Sequence, residues 1–413
     1  MTRRVVVTGC GIISSIGNSL EEVTQSLKQN RSGIEMVPEY KELGYASHVA
    51  GTIKNLGSID DIRKPFGPKA RFMDLSALYG LLACEEALAD GGLTADDLKD
   101  ERVGCLLGSS FSNSDPYKHI FDRLGGRKHD VSTFDIARAL TSTMTANFSY
   151  YYGIKGRSYS IGSACATATH NIGHAFECIR HGTADMMIAG GAEEVTPALT
   201  GMFEGMRRAL SKKHNKTPSS ASRPYDKSRD GFVISGGAGI LILEEYEKAK
   251  ARGAKIYGEI TGFGATSDGH DIIAPDPTGN GNFRCMSEAL KQSGLQTTDI
   301  DYVNTHGTST PKGDVVEVKS ITKLFGDHPI KISSTKALTG HGIGAAGALE
   351  LIFCLLMMQE NIVTASAHIE NLDDELADAN IVRENQSCEL NHVLSNSFGF
   401  GGTNASLIVS RCD

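Results

Sequence analysis

The sequence lacks several patterns that would assign it to other classes of protein. Its nine cysteines are scattered, odd in number and never spaced C-x-x-C, which argues against a zinc site and against a disulfide framework. The formal net charge of −8 provides no basic field for nucleic acid. No low-complexity segment or obvious linker interrupts the 413 residues. We therefore predict a globular protein of the reducing cytoplasm, with no metal and no nucleic-acid partner.

Long apolar runs are also missing. The longest apolar stretch is LELIFCLLMM from Leu349, which is too short to span a bilayer and predicts a buried helix. The start of the sequence, MTRRVVVTGCG, has a charged pair but only a short apolar run, unlike a signal peptide. We expect no membrane association.

Short buried strands alternate with helical stretches along the chain. The strand-like runs are RRVVVT, RVGCLLG, DMMIAGG, FVISGGAGILILEE, KIYGEITGF, DYVNTHG, KISST and ASLIVS. Helical patterns between them include MDLSALYGLLACEEALADGG and GALELIFCLLMMQEN. This alternation predicts mixed or parallel sheets that are covered by helices on both faces.

The chain also contains two internal echoes. VVVTGCG (residues 5–11) is similar to YGEITGFG (residues 257–264) at an offset of 253. SACATATHNIGHA from Ser163 matches STKALTGHGIGAA from Ser334 without a gap at an offset of 171, which sets Cys165 opposite Lys336. Coincidence among small residues is the alternative. We predict a duplicated α/β unit, with halves at residues 1–250 and 251–413 and a cap inserted in the first copy.

Cys165 lies where the strand-like run RSYSIG gives way to a helix that is predicted to end near His181 and Gly182. In the first turn of a helix, unpaired amides and the positive end of the helix dipole favour a thiolate. The same amides could hold the oxyanion formed when a thioester carbonyl is attacked. The alternative is an ordinary buried cysteine.

Three later stretches carry further candidates for chemistry. NTHGTSTPKGD (residues 304–314) ends a short strand on His306, TKALTGHGIGAAG supplies Lys336 and His341, and SNSFGFGGTN (residues 395–404) is predicted to be a flexible glycine turn. A lone histidine after a strand is more often a packed side chain than a catalyst. Two such histidines beside a candidate nucleophile favour a catalytic site.

In this order, these stretches resemble the β-ketoacyl-acyl carrier protein synthases, the elongating condensing enzymes of fatty acid synthesis. VVVTGCGIISSIG near the start and ASRPYDKSRDGFVISGGAG from Ala221 fit the same family, so the resemblance covers essentially the whole chain. The spacing is more similar to synthase I than to synthase II. The resemblance implies the thiolase fold, two βαβαβαββ halves in five αβαβα layers. It also implies a homodimer that uses acyl carrier protein as its partner and no organic cofactor.

The resemblance implies a role for each site residue. Cys165 would accept the acyl chain as a thioester, and His306 and His341 would promote decarboxylation of malonyl-carrier protein as neutral hydrogen-bond donors, which requires burial. The backbone amides of Cys165 and Phe400 resemble the oxyanion hole, and Phe400 resembles the gate over the acyl pocket.

Five further residues have implied or hypothetical roles. Thr308 and Thr310 would hold the phosphopantetheine arm, although they could equally be caps on a turn. Lys336 is expected to be buried with Glu317 as its counter-charge, forming an electrostatic scaffold for the histidines. Phe111 stands where elongating members of the family often have glycine or a modest aliphatic residue, and our hypothesis is that it shortens the acyl tunnel.

Local basic clusters could dock the acidic carrier protein. They are Arg63, Lys64, Lys69 and Arg71 in one cluster, Arg123, Arg127 and Lys128 in a second, and Arg207 and Arg208 in a third. Such clusters are often only solvated loops.

Four rival functions remain. A degradative thiolase would need a second cysteine in the glycine stretch at residues 395–404, which has none. A starter-type synthase would more often pair cysteine with histidine and asparagine. A non-catalytic chain-length partner would lack the nucleophile. A ketosynthase of a specialised polyketide or polyene pathway has the same chemistry and stays open.

Overall fold

The computed structural model describes residues 2–111, 115–127, 131–206 and 209–412. The strands are β1 (Val5–Ser14), β2 (Glu35–Met36), β3 (Val49–Ala50), β4 (Val103–Gly108), β5 (Ser158–Tyr159), β6 (Met186–Glu193), β7 (Gly237–Glu245), β8 (Gly258–Ser267), β9 (Tyr302–Asn304), β10 (Lys331–Ser333), β11 (Ile362–Val363), β12 (Gln386–Ser387), β13 (His392–Gly399) and β14 (Thr403–Ser410). The helices are α1 (Leu20–Lys28), α2 (Pro38–Glu42), α3 (Ile59–Arg63), α4 (Leu75–Asp90), α5 (Asp115–Leu124), α6 (Asp135–Ala139), α7 (Thr143–Tyr152), α8 (Thr167–Arg180), α9 (Pro197–Glu204), α10 (Tyr246–Ala251), α11 (Asn280–Ser293), α12 (Gly313–Phe325), α13 (Lys336–Thr339) and α14 (Ala346–Glu360).

Ten of the strands form one sheet that consists of two equivalent halves. The order is β10-β9-β13-β14-β8-β1-β7-β6-β4-β5. In the first half β4 is parallel to β5 and β6, and β7 is antiparallel to β6 and β1. In the second half β9 is parallel to β10 and β13, and β14 is antiparallel to β13 and β8. A short antiparallel contact between β1 and β8 joins the halves, so the predicted duplication is confirmed.

Helices cover both faces of each half. The outer helices α4 and α7 pack on the first half, and α11 packs on β8 and β14 of the second half with α12 beside it. Helices α8 and α14 contact each other and pack on strands of both halves. Every residue of β1 is buried, as expected of a strand with both faces covered. The predicted five-layer arrangement is confirmed.

Helix α14 contains the longest apolar stretch of the sequence. Ile343–Glu360 is the one helical segment, among the residues described, that is long and apolar enough to cross a membrane, and 89% of it is buried inside the protein. The predicted buried helix is confirmed.

The first echo of the sequence corresponds to a structural repeat, but the second was aligned in the wrong register. Strands β1 and β8 are equivalent at the predicted offset of 253. Before α8 and α14, however, the matching features are short 3₁₀ turns at Ala164–Ala166 and Ile343–Ala345, which begin with φ angles of 48° and 46°. The counterpart of Cys165 is therefore Gly344 and not Lys336. The short helix α13 lengthens the second copy before this turn, and the ungapped match was coincidental.

The remaining sequence predictions for elements are mostly confirmed. Helices α1 to α7 lie between β1 and β5, where the extra residues of the first half were predicted. The proposed boundary between residues 250 and 251 falls in the last turn of α10. The run RSYSIG forms only the two-residue strand β5. The stretch SNSFGFGGTN is not a flexible turn throughout, because its first five residues belong to β13 and its last two to β14.

Candidate active site

Cys165 lies in the middle of the 3₁₀ turn that leads into α8. The preceding residue, Ala164, has the left-handed conformation that is unfavourable for a residue with a Cβ atom. Two hydrogen bonds hold this turn: Ser110 donates its hydroxyl to the Ala164 carbonyl at 2.7 Å, and Thr403 donates to the Ser163 carbonyl at 3.1 Å. The loop after β4 and the start of β14 therefore fix the position of the thiol.

The two candidate histidines meet Cys165 in one buried cluster. His306 follows β9 and His341 follows α13, yet the cysteine sulfur and the two imidazoles each contribute one atom to a set whose members lie within 4.8 Å of one another. The two rings are 5.2 Å apart between centroids and nearly perpendicular, at 86°. The convergence that the sequence predicted is present.

Both histidines are held in the neutral form. Burial lowers the pKa of His306 and of His341 well below 6.5, and the nearby Lys336 ammonium lowers both further. The Nδ1 atoms of both rings are buried and have no hydrogen-bond partner among the described residues. Two neutral imidazoles therefore lie beside the thiol, and each has a ring nitrogen that is not engaged with the described residues. Neutral imidazoles are what decarboxylation by neutral hydrogen-bond donors requires.

The first turn of a helix favours a thiolate at Cys165, but burial opposes it more strongly. Burial raises the pKa of the Cys165 thiol to about 12, although the Lys336 charge and the backbone amide of Phe400 oppose this rise. The helix amides and dipole are present, but desolvation outweighs them. The side chain is a thiol at neutral pH, so its proton must leave as the sulfur attacks.

Backbone amides converge on the sulfur as the resemblance implied. The amides of Phe400 and Cys165 both stabilise negative charge on Sγ. Phe400 begins the 3₁₀ turn Phe400–Gly402. The preceding residue is Gly399, and a Cβ atom on that residue would lie only 3.1 Å from the Cys165 nitrogen. Glycine therefore permits the close approach of the two amides, and two amides that converge on one point can stabilise an oxyanion there.

Lys336 has a second buried counter-charge besides the one expected. Its ammonium forms a hydrogen-bonded ion pair with Glu350 of α14, and both side chains are 2% exposed. Burial raises the pKa of Glu350 to about 7, and Lys336 opposes that rise. The predicted buried lysine is confirmed. Glu350 is its hydrogen-bonded partner, and the predicted counter-charge Glu317 interacts with Lys336 through electrostatic attraction, which opposes the rise that burial causes in the pKa of Glu317.

Glu317 acts on the backbone beside His306. Its carboxylate accepts hydrogen bonds from the amides of His306 at 2.7 Å and Gly307 at 2.8 Å, and from the Asn396 side chain at 3.3 Å. Burial raises the pKa of Glu317 to about 7, opposed by these amides. Glu317 therefore orients the loop that carries His306 and joins it to β13.

The three clustered side chains line a cavity of about 1010 Å³. The Thr308 and Thr310 hydroxyls lie 3.2 Å apart and both residues line this cavity, where the sequence placed the pantetheine arm. Arg229, Asp268 and Asn404 also line it. Sequence reasoning missed these three residues, although Arg229 belongs to the family-like stretch ASRPYDKSRDGF.

Phe111 lies behind the cavity and is not part of its lining. Its ring packs edge-to-face on Phe203 of α9 at 5.8 Å between centroids, and Phe203 in turn lies 6.3 Å from Phe400 and lines the cavity. Phe111 therefore contacts the wall of this cavity and not its open space.

Glu193 is a further functional candidate that the sequence analysis missed. This buried carboxyl at the end of β6 accepts hydrogen bonds from the Ser109 hydroxyl at 2.7 Å, the Ser110 amide at 2.9 Å and the Gly344 amide at 3.1 Å. It ties the loop before Phe111 to the turn before α14. Only its position at a strand end could have indicated this role.

The predicted docking residues differ in their availability. Lys64, Arg71, Arg123 and Arg127 are exposed. Arg63 lies near Asp60 at 3.7 Å, and Lys69 donates to the carbonyls of Tyr150 and Tyr151. Lys128, Arg207 and Arg208 lie outside the described residues.

The fold and the site together define a class of protein. A buried cysteine at the start of a helix, beside two neutral histidines and two convergent amides, is arranged for acyl transfer to sulfur. On a duplicated five-layer α/β fold, this is the arrangement of a condensing acyltransferase.

Comparison with known proteins gives the family. Residues 2–249 match the family described as Beta-ketoacyl synthase, N-terminal domain, and residues 257–370 match Beta-ketoacyl synthase, C-terminal domain. The chain is 48% identical to 3-oxoacyl-[acyl-carrier-protein] synthase 1 of Haemophilus influenzae, over 99% of both chains. Its fold matches a crystal structure of a β-ketoacyl synthase from Burkholderia phymatum over 100% of both chains, with 35% identity and a TM-score of 0.93. The AntDE:AntF assembly, a type II polyketide synthase acyl-carrier protein in complex with its ketosynthase, matches over 100% of both chains with 27% identity and a TM-score of 0.88.

The chain belongs to the β-ketoacyl synthase family. The predicted resemblance, the predicted fold and the predicted acyltransferase class are confirmed.

Proposed function

We propose that this chain is a 3-oxoacyl-[acyl-carrier-protein] synthase that elongates fatty acids by decarboxylative condensation. The observation that carries the proposal is the buried convergence of Cys165, His306 and His341 within 4.8 Å of one another. The chain is also 48% identical, over nearly its full length, to a 3-oxoacyl-[acyl-carrier-protein] synthase 1, which supports a role in fatty acid synthesis.

In the first half-reaction, Cys165 attacks the thioester carbonyl of an acyl chain on the carrier protein. The new bond joins sulfur to the acyl carbon, and the carbon–sulfur bond to the carrier arm breaks. The proton of Cys165 goes to the departing arm thiol. The amides of Cys165 and Phe400 stabilise the oxyanion formed on the way.

In the second half-reaction, malonyl-carrier protein loses its carboxylate as carbon dioxide. The bonding pair of electrons moves onto the thioester oxygen, where neutral His306 and His341 donate hydrogen bonds to the enolate. The enolate carbon then attacks acyl-Cys165 and releases a 3-oxoacyl chain two carbons longer. The cysteine sulfur recovers a proton from solvent, which balances the step.

The carrier-bound thioester already supplies the activation, so the proposed reaction requires no metal or organic cofactor. The cysteine and histidine atoms are also of the types that bind zinc, so a chelator tests whether the reaction depends on a metal. We expect treatment with a chelator to leave the activity unchanged.

Mass spectrometry of the intact protein tests the proposal. After incubation with a short acyl-carrier protein, the wild type should gain one acyl mass, and Cys165→Ala should gain none. Cys165→Gln, in which a neutral amide occupies the acyl position, should still decarboxylate malonyl-carrier protein, and His306→Ala should not. Acyl transfer to a different residue would refute the proposal.

Two alternatives lead to different outcomes. A ketosynthase of a polyketide or polyene pathway would elongate 3-oxo or polyunsaturated primers better than saturated ones, and the likeness to AntDE is the observation that keeps this alternative. A non-catalytic chain-length partner would neither gain an acyl mass nor decarboxylate.

Phe111 bears on the choice of chain length. Its contact with Phe203 places a large ring directly behind the cavity wall. We expect Phe111→Ala to raise kcat/KM for long primers relative to short ones, because Phe203 can then move into the space that the Phe111 ring leaves and lengthen the cavity. Phe283→Ala, on the outer helix α11, is the matched control and should leave the ratio unchanged. An unaltered ratio in Phe111→Ala would show that this ring does not set chain length.

A further inference from the structure

Three lysines line the cavity that leads to Cys165. Lys212 and Lys213 lie between α9 and β7, and Lys312 immediately precedes α12; all three are exposed. Their positions between solvent and the cavity interior place them at its mouth. None belongs to the basic clusters that the sequence analysis selected for docking.

Two consecutive residues hold the loops that carry these lysines. Asp230 accepts hydrogen bonds from the Lys212 amide at 3.0 Å and the Lys213 amide at 2.9 Å. Arg229 donates to the carbonyls of Thr310 at 3.2 Å and Pro311 at 2.9 Å, directly before Lys312. The Arg229–Asp230 pair therefore fixes both lysine-bearing loops from one segment of backbone.

Arg229 is itself firmly held. Its guanidinium is 2% exposed and pairs with Asp314 at 3.4 Å and with Asp373 at 2.8 Å. A buried arginine with two carboxylate partners has little freedom to move. The two loops consequently keep a fixed relation to each other, and the lysines act as an organised group.

The acidic residues at the mouth are occupied by other donors. Asp230 also accepts the Ser211 hydroxyl at 2.7 Å. Asp268 accepts the Asn404 side chain at 2.7 Å and the Asp276 amide at 3.1 Å. These hydrogen bonds fix the positions of the two carboxylates but leave their charges. The three lysines outnumber them, so the mouth is positive despite the net charge of −8 for the whole chain.

We propose that Lys212, Lys213 and Lys312 form an anion-binding site at the mouth of the cavity, and that its ligand is the phosphodiester of the carrier-linked pantetheine arm. The inference rests on the proposed function and deepens it. Lysine binds phosphate as a point charge. The same cavity contains Thr308, Thr310 and Cys165, so an anion at its mouth belongs to the entering arm and not to the outer surface of the carrier protein.

The test compares thioesters that differ only in the phosphate. We would measure the rate constant for acylation of Cys165 with acyl-pantetheine, acyl-phosphopantetheine and acyl-carrier protein. The variants are Lys212→Ala, Lys213→Ala and Lys312→Ala, singly and together. Lys216→Ala is the matched control, because Lys216 is an exposed lysine of the same loop that does not line the cavity.

We expect each mouth substitution to lower kcat/KM about two- to fivefold for the two phosphorylated substrates, as for one exposed charge pair. The rate with acyl-pantetheine and every rate of Lys216→Ala should stay at the wild-type value. Added salt should reduce the difference between wild type and the triple variant.

Two results would overturn the inference. A loss confined to acyl-carrier protein would assign the lysines to the acidic surface of the carrier. An equal loss with acyl-pantetheine, or no loss with any substrate, would show that the phosphate is not bound there. Failure of the proposed function is distinguishable, because the wild type would then accept no acyl group at Cys165 from any of the three.

Discussion

At the scale of single residues, the sequence identified the three side chains that meet in the cavity and the neutral form of both histidines, but not the raised pKa of Cys165. Cys165, His306 and His341 lie in distinctive stretches, so their types and spacing were sufficient. The pKa of the Cys165 thiol depends on burial, which the sequence does not show, and burial outweighs the helix amides. The hydrogen-bonded partner of Lys336 was missed because Glu350 lies on a separate helix within an unremarkable apolar stretch.

His170 makes a testable contribution to stability. Its Nδ1 lies 2.7 Å from the Ser163 hydroxyl, and burial lowers its pKa from 6.5 to about 4. His170 becomes protonated below about pH 6.5 in the unfolded chain but only below about pH 4 in the folded protein. Stability is therefore lost as the pH falls, by roughly 1–2 kcal/mol between pH 6.5 and 5 from this residue.

Urea unfolding at pH 7 and pH 5 measures this contribution. His170→Gln should lose less stability between the two pH values than the wild type. His174→Gln, which changes a partly exposed histidine on the same helix, should behave like the wild type. An identical pH dependence in His170→Gln would contradict the assignment.

At the scale of elements, the strands and long helices followed from their apolar patterns, whereas the local backbone did not. Ala164 and Ile343 both adopt left-handed φ angles, and neither is a glycine that would signal this in the sequence. The true register of the repeat was hidden for that reason. The stretch at residues 395–404 was taken for a flexible turn because its glycines concealed the pairing of β13 with β14.

Lys69 illustrates how an element can use a charge that sequence reasoning assigned to docking. Its ammonium donates to the carbonyls of Tyr150 at 3.2 Å and Tyr151 at 3.1 Å in the last turn of α7, and it lies 4.8 Å from the centre of the Tyr150 ring. A cation at this end of a helix satisfies free carbonyls and interacts favourably with the dipole. We expect Lys69→Ala to lower stability by about 0.5–1 kcal/mol.

The exposed Lys64 is the contrasting variant. Lys64→Ala should leave the melting temperature unchanged and raise KM for acyl-carrier protein, whereas Lys69→Ala should lower the melting temperature with little change in KM. Thermal unfolding and carrier-dependent acylation would be measured on both. A raised KM without a loss of stability in Lys69→Ala would return that residue to the docking surface.

At the scale of the whole molecule, the two ends of the ten-stranded sheet differ. The outer edge of β10 is covered, because Ile332 exchanges hydrogen bonds with Asn380 and Val382 at 3.1 and 2.9 Å. Strand β5, at the other end, pairs only with β4 among the described residues. An uncovered edge strand is a template for pairing with another chain, which supports the predicted homodimer.

Exposed apolar side chains continue from this edge across α6 and α5. Tyr159 of β5 is 39% exposed, Leu140 44%, Ile136 70% and Phe121 67%. The elements that carry them contact one another in the order β5, α7, α6, α5. Exposed apolar side chains on neighbouring elements are typical of an interface. We therefore predict that β5 pairs with its copy about a twofold axis and that these side chains lie in that interface.

Size-exclusion chromatography with multi-angle light scattering tests the predicted homodimer. The wild type should have twice the mass of one chain. Phe121→Asp combined with Ile136→Asp should shift the protein toward the monomer, because the interface would bury two unpaired carboxylates from each chain. Leu43→Asp, at a leucine that is 51% exposed and lies outside this surface, is the control and should remain dimeric. Because the double variant changes only exposed side chains, its circular dichroism spectrum should stay native. A native-like variant that remained dimeric would place the interface elsewhere on the molecule, and a monomeric wild type would refute the dimer.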